Sequence, residues 1–388
     1  MFEPLDDGTP CGEAPTACER KVCASGMCNT LRLEGGLDQD TTTLRAVAVN
    51  PDDGAVAVGR ASVSQEGASD ARSARIGPLG QLVSGETVPR PGTQEAYDIA
   101  SGPGGEFIVG ASECRAWVRS LPGEAPDGIE HLFGDSTCST TQVLNSVIAL
   151  PGSALVVGGR RQGGLALGGG HALTLRQVEP DGSLPFEVIE DGAVLDGIEA
   201  VAAAPEAGGY AAAGGFGAEA WIRRTDPVGG TLWTRTYGDE ARARALDVDF
   251  LADGRLMFTG YSQVRPASAS RPYAGLVGTA GDLLWGVVMS VESRGTTSSL
   301  AVAPGSGKAI AVGWSEVGGS ESRVLVAPVQ LDDGGHANTW VADVGPSRAN
   351  DIEPLPGGGF IVVGASGGQG AWWYFDDTGA PCEQPTSP

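Results

Sequence analysis

Residues 245–260 read ALDVDFLADGRLMFTG: an apolar stretch, an Asp-Gly turn, and a second apolar stretch that stops at Gly260. Both stretches are rich in β-formers and shorter than an ordinary helix, so the segment reads as a β-hairpin. The chain then continues with YAGLVGTA from Tyr273, a turn at Gly281 and Asp282, and LLWGVV from Leu283. These add two more strands and complete a four-stranded antiparallel unit of about fifty residues.

The unit recurs. Its cores are LRAVAVNPDDGAVAVG, AYDIASGPGGEFIVG, LNSVIALPGSALVVG, IEAVAAAPEAGGYAAAG, the segment already quoted, SSLAVAPGSGKAIAVG and ANDIEPLPGGGFIVVG. They close on Gly59, Gly110, Gly158, Gly214, Gly260, Gly313 and Gly364, spaced 46 to 56 residues apart. Seven such repeats predict an all-β fold, a seven-bladed β-propeller of four-stranded antiparallel blades. The cores lack a 3.6-residue period, which excludes a helical solenoid. A tandem of β-sandwiches would need linkers that the repeats do not leave.

The seventh unit has three strands, ANDIEPL, GFIVVGA and AWWYFDD, and then runs into the proline-rich APCEQPTSP, unsuited to a strand. TLRLEGG from Thr30 aligns with TLWTRTYG from Thr231 in the fourth unit. Thr30 to Glu34 is therefore expected to complete the last blade as its outer strand and close the ring. This divides the chain into a short Cys-rich segment, 1–29, and the propeller, 30–388.

A net charge of −23 excludes nucleic acid and anionic membrane as partners held by bulk electrostatics, because phosphate neutralisation needs clustered Lys and Arg. No run of 18 apolar residues is present, so no membrane insertion is expected. MFEPLDDGTPC has neither the basic nor the apolar region of a secretory signal. The signal is thus taken as removed, or the chain as a fragment. Cys11, Cys18, Cys23 and Cys28 lie among Gly, Pro and Thr with no C-x-x-C pair, which reads as a disulfide framework rather than a zinc site. An oxidising, extracellular or cell-surface location follows, with the chain a monomer. Cys114 opens the third strand of unit two and Cys138 follows its fourth, so a Cys114–Cys138 disulfide is expected on one face. Cys382 leaves alternatives open: a bond to Cys28 across the clasp, a free thiol, or the start of another Cys-rich unit.

The motifs W-x-x-x-Y-G, A-x-D-V, an Asp-Gly turn and AWxxxxD, over residues 30 to 380, resemble secreted bacterial propeller repeats of the SBBP and Delta-60 type. The lead DGTPCGEAPTACERKVCASGMC, residues 7 to 28, resembles Cys-rich segments of myxobacterial surface proteins. These resemblances imply architecture and location and carry over no catalytic residues. DPVGGTLW and GTAGDLLW also resemble the rhythm of pyrroloquinoline-quinone propeller enzymes. Only Trp233, Trp285 and Trp340 hold the position, and outer-strand tryptophans serve packing between blades.

In a propeller the loops joining strands two and three share a face with those that lead to the next blade. The second-to-third loops are long in units one (RASVSQEGASDA), three (GRRQGGLALGGGHA), five (YSQVRPASASRPYA) and six (WSEVGGSESR). Varied loops on a rigid ring carry binding residues. Arg160, Arg161, Tyr261, Arg265, Arg271 and Trp314 are the candidates there. Asp98, Asp247 and Asp351 recur early in the first strands, nearest the axis. There they bond backbone of the neighbouring blade, or hold a divalent cation such as calcium. No resident cofactor and no metal ligand set is assigned. His131, His171 and His336 map to a fourth strand, a second-to-third loop and a third-to-fourth turn, and no catalytic constellation emerges. The expected function is a non-enzymatic extracellular binding or scaffold propeller that engages a protein or glycan through its long-loop face. The alternative is a hydrolase or lyase acting on extracellular polysaccharide at the central channel.

Overall fold

The computed structural model describes residues 42–380 and the backbone of 21–24, 27–30 and 34–36. Within 42–380, loop segments 51–53, 63–68, 89–92, 122–129, 135–136, 163–170, 193–194, 206–207, 239–241, 264–268, 304–306, 319–320, 337–339 and 342–345, and positions 79, 218, 292 and 357, are outside the described residues.

Seven four-stranded antiparallel sheets form a ring. Their innermost strands are Thr42–Asn50, Gln94–Gly102, Thr141–Ala149, Leu195–Ala203, Arg242–Phe250, Gly295–Ala303 and Ser347–Pro354, in blades one to seven. Each following strand lies one place further out. Second strands read as unbroken apolar runs, such as Leu256–Phe258 and Phe360–Val363, because both faces of every sheet are covered by neighbouring blades.

The apolar side chains sort into seven clusters, one per junction. Leu44, Val47, Ala57 and Ile76 of blade one pack on Ile361, Val363, Trp372 and Tyr374 of blade seven. The ring is therefore closed by packing. Indole N–H groups reinforce the junctions: Trp233 donates to the Thr279 carbonyl (3.0 Å), Trp285 to Leu331 (3.1 Å) and Trp372 to Gly80 (3.0 Å), each in the next blade. That packing accounts for the quinoprotein-like rhythm at Trp233 and Trp285.

The outer strand of blade seven comes from the N-terminal side of the chain, as the missing fourth strand requires, but its position differs from expectation. Glu34–Gly36 pairs with Gln369–Phe375, placing Glu34 opposite Trp373 and Gly36 opposite Ala371. Thr30 instead ends a separate hairpin, Lys21–Ala24 with Met27–Thr30, in which Cys23 is the register partner of Cys28. Cys11, Cys18 and Cys382 lie outside the described residues. Deleting residues 1–36 should leave Gln369–Phe375 as an unpaired edge and favour strand-to-strand association. The expected outcome is a lower unfolding midpoint and concentration-dependent oligomers in sedimentation; a monomer with an unchanged midpoint would refute this closure.

One local device repeats in every blade. The inner strand carries a β-bulge at Arg45, Tyr97, Asn145, Glu199, Leu246, Ser298 and Asn350. Opposite the residue before each bulge lies a glycine of the second strand. A Cβ at Gly59, Gly260 or Gly364 would sit 1.9 Å from the carbonyl oxygen of Thr43, Arg244 or Arg348. The closing glycines are thus the room the bulge needs. In blade three the equivalent residue is Gly159, which faces Leu144, rather than the preceding Gly158.

Candidate functional site

The bulge re-aims the residue after it, and the seven positions so placed are Ala46, Asp98, Ser146, Ala200, Asp247, Ser299 and Asp351. Asp98 accepts the Val147 N–H of the next blade (2.8 Å), and Asp247 accepts the Leu300 N–H (2.8 Å). Asp351 accepts the Val47 N–H (2.8 Å) across the closure, and Ser146 accepts the Val201 N–H (3.1 Å). Where the preceding blade offers only Ala46 or Ala200, the second carboxyl oxygen of Asp98 or Asp247 takes up the amide of Ile99 or Val248 instead (2.8 Å each). Two acceptor oxygens let one aspartate satisfy two otherwise orphaned amides. These three acids are clips between blades.

The clips carry an electrostatic consequence. Ser299 Oγ lies 2.8 Å from Asp247 and 2.7 Å from Asp351. A hydroxyl has one proton to donate, so satisfying both contacts requires a proton on one carboxyl. Burial in the ring, the larger cause, and the Asp351 charge push Asp98 up to about 8, against its bonds to Val147, Ile99 and Ser146. Burial pushes Asp351 up to about 7 against its bonds to Ser299 and Val47, and raises Asp247. Asp249 and Glu353, two residues beyond Asp247 and Asp351, complete the acidic lining. Burial and then the Asp247 charge push Asp249 up to about 6; burial and four carboxylate neighbours hold Glu353 well above its ordinary range. Together these acids line a cavity of about 310 Å³ on the axis. Among the described residues no three His, Cys, Asp or Glu side chains are grouped to hold a metal ion, so a calcium site among the channel acids finds no support in their arrangement.

The opposite half of the channel differs in character. Strands enter the ring from the long-loop face, and there the bulge residues, those two before them, and those after the closing glycines form a rim. Five arginines occupy these positions, Arg45, Arg60, Arg160, Arg244 and Arg348, against two carboxylates, Glu95 and Glu199. Glu95 pairs with Arg45 (3.0 Å) and Arg60 (2.6 Å), and Arg244 pairs with Glu199. Burial opposes ionisation of Glu95, but the Tyr97 hydroxyl and the two guanidiniums outweigh it and hold its pKa below the usual value. Burial, then the hydrogen bond to Glu95, pushes Tyr97 up to about 12. The Arg45 and Arg348 guanidiniums lie over Tyr97 and Trp314, each 4.7 Å from the ring centre.

Of the expected binding residues, Arg160, Tyr261 and Trp314 share one structural position, directly after the closing glycines. Arg161 lies on the other side of its strand, opposite Gln142, with a buried and unpartnered Nε; Arg271 is exposed in the third strand of blade five. Arg265 lies outside the described residues. The long loop of unit six is mostly strand, because the hairpin Lys308–Val317 with Glu321–Gln330 continues through WSEV and ESR. Cys114 and Cys138 form a disulfide on the long-loop face, with Cα atoms 5.3 Å apart. His171 begins a third strand rather than lying in a loop, and His131 is on the outer strand of blade two. Sequence reasoning did not single out Arg45, Arg60, Glu95, Tyr97, Glu199, Arg244 and Arg348. Nor did it single out Asp249 and Glu353.

No known family profile and no curated protein matches the chain. Solved structures do. Sqt1 of Chaetomium thermophilum, bound to the N-terminus of the ribosomal protein L10, superposes with a TM-score of 0.54 at 14% identity, over 89% of this chain and 87% of that one. The Dos1 propeller gives 0.56 at 9% identity, over 88% and 94%. Puromycin hydrolase gives 0.56 at 14% identity, over 89% of this chain and 54% of that one. Identities this low carry the architecture alone, and by that architecture the chain is a seven-bladed β-propeller.

Proposed function

We propose that the protein is a non-enzymatic binding propeller that captures a carboxylate-bearing protein segment or acidic glycan on the arginine-rich rim of its long-loop face. The observation that carries this reading is the excess of five arginines over two glutamates on that rim, in a chain of net charge −23. Arginine forks bind carboxylates in bidentate geometry, and Tyr97, Tyr261 and Trp314 add flat apolar surface of the kind that anchors sugars and peptides. An acidic coat around a basic rim also steers an anionic ligand to one place. Sqt1, a propeller of similar fold, is itself bound to a protein segment, the N-terminus of the ribosomal protein L10.

We place the protein outside the cell or on its surface. The Cys114–Cys138 disulfide and the Cys-rich lead support an oxidising compartment, and the repeat resemblance to secreted bacterial propellers agrees with it. The Cys-rich lead then forms a separate disulfide-bonded segment that includes the hairpin ending at Thr30, ahead of the strand Glu34–Gly36 that joins the ring. No helix among the described residues is long and apolar enough to cross a membrane.

The test is binding of polygalacturonate and of a glutamate-rich peptide, each against its neutral counterpart. Arg160→Ala with Arg348→Ala should weaken binding of the acidic probe by about tenfold or more, and salt should weaken it further. Retained affinity in the double variant would overturn the rim as the site. Turnover of the polysaccharide would overturn the non-enzymatic reading.

A further inference from the structure

The outer edge of blade five is built differently from the outer edges of the other blades. Its outermost strand, Leu283–Val288, reads LLWGVV and holds no charged residue. Among the described outer strands, those of blades one to four and seven carry Glu86, Glu130, Glu187, Arg235 and Glu34, and that of blade six is only Trp340–Val341. Charge and brevity are what keep an open strand edge from pairing with another chain. Blade five has neither. Leu283 is 43% exposed, Leu284 47% and Val288 40%, on the last strand of its sheet.

The register decides which groups this edge offers. Met289 donates its N–H to the Pro272 carbonyl (2.8 Å), and the ladder runs back from there with Val288 opposite Tyr273 and Gly286 opposite Gly275. Antiparallel ladders alternate, so Val287 and Trp285 bond inward, and Gly286 and Val288 turn amide and carbonyl to the open side. Trp285 also donates to the Leu331 carbonyl and packs with Val287 against blade six, which holds the strand from behind. Two opposite charges mark its ends. Asp282 is exposed just before the strand, and Arg271, exposed in the third strand of the blade, stands beside its far end. Among the described residues neither side chain is in an ion pair.

We propose that this edge is a homodimer interface, in which two copies join their Leu283–Val288 strands antiparallel about a twofold axis through Gly286. The two fifth blades become one eight-stranded sheet. On this axis the outward groups of Gly286 meet those of Gly286 in the second copy, and Leu284 lies opposite Val288 on both sides. Glycine at the centre leaves room for the two Leu284–Val288 pairs to close over it. Antiparallel pairing also brings Asp282 of each copy to the end where Arg271 of the other stands. A twofold interface must be self-complementary in this way, and that match of charge singles out a second copy as the occupant. The net charge of −23 opposes association, but it is screened beyond about 8 Å at physiological ionic strength, and the strand itself is uncharged. A ladder this short buries less than the roughly 1,200 Å² of a standard interface, so association in the micromolar range is expected. The monomer expected from the sequence is then the dilute form. Both rims stay open, because the contact is on the circumference of the ring.

Sedimentation velocity of the full chain from about 1 µM to about 100 µM tests the interface, with non-reducing electrophoresis beside it to detect disulfide-linked pairs. A shift from monomer to dimer is expected across that range. Leu284→Glu and Val288→Lys should each weaken dimerisation by about tenfold or more, with the melting midpoint at about 1 µM unchanged because both positions are exposed. Mixing the two variants should restore the dimer, since the new acid of one copy then faces the new base of the other across the strands. Arg271→Glu should weaken the parent dimer as well, by about threefold or more. A parent chain still monomeric at about 100 µM would overturn the proposal. So would single variants that dimerise like the parent, a mixture that stays monomeric, or a dimer present only as a disulfide-linked species.

Discussion

Replacing Gly260 with valine should destabilise the ring by at least about 4 kcal/mol, enough that folded protein is scarcely recovered. Added carbon would lie 1.9 Å from the Arg244 carbonyl oxygen and 3.1 Å from the Leu246 amide nitrogen, both backbone atoms that cannot swing aside. To admit it, the strand pairing must open or the bulge at Leu246 must flatten. Flattening would turn Asp247 away from the Leu300 amide and break the clip between blades five and six. The buried Thr297 hydroxyl, which donates to the Gly260 carbonyl at 2.7 Å, would lose its place as well. Gly307→Asn is the contrasting case: Gly307 has a φ of 66° and nothing near its Cβ position, so an asparagine should cost less than about 1 kcal/mol. Denaturant unfolding of both variants decides the matter, and a Gly260→Val protein within about 1 kcal/mol of the parent would show that the bulge and glycine are not coupled.

The second large effect is one of pH. An acid whose folded pKa exceeds its unfolded one holds a proton in the native state that the unfolded chain has already released. Stability therefore falls as pH rises through that interval. The window is bounded below by the ordinary aspartate value near 4 and above by the folded values, about 6 for Asp249, about 7 for Asp351 and about 8 for Asp98. The protein should be most stable near pH 4 to 5 and lose stability progressively as the pH rises to about 8. Many proteins whose carboxylates are ion-paired behave in the opposite sense. Measuring the thermal midpoint from pH 4 to pH 9 checks this, and a midpoint that rises steadily over that range would show that the channel acids ionise freely. Asp249→Asn should flatten the lower part of the curve, because that group titrates first.

Much of the architecture was legible. The blade count followed from the periodic glycines, and the borrowed outer strand followed from counting strands in the seventh unit. The register of that strand was not legible. TLRLEGG aligned well with TLWTRTYG, yet the pairing falls on Glu34–Gly36, because a three-residue strand is held by its neighbour's register rather than by its own pattern. The shift from Gly158 to Gly159 in blade three has a similar cause, since adjacent glycines are equivalent in sequence and only one faces the bulge.

The candidate site divides along the same line. Asp98, Asp247 and Asp351 stood out because they recur at one place in the repeat, and Arg160, Tyr261 and Trp314 because they border long loops. Arg45, Arg60, Arg244 and Arg348 looked like ordinary strand-end charges scattered over more than three hundred positions.

By itself the sequence determined the repeat, its strand order, the number of blades and the need for a lent strand, because these depend on local periodicity and turn chemistry. Only the tertiary structure decided which residues meet at the axis. The bulge in each inner strand shifts the alternation of side chains by one, and ring closure then gathers residues from distant blades. An arginine rim forms above, and Asp249 and Glu353 meet below. Neither arrangement has a signal in any single repeat, since each is made by the circle rather than by the blade.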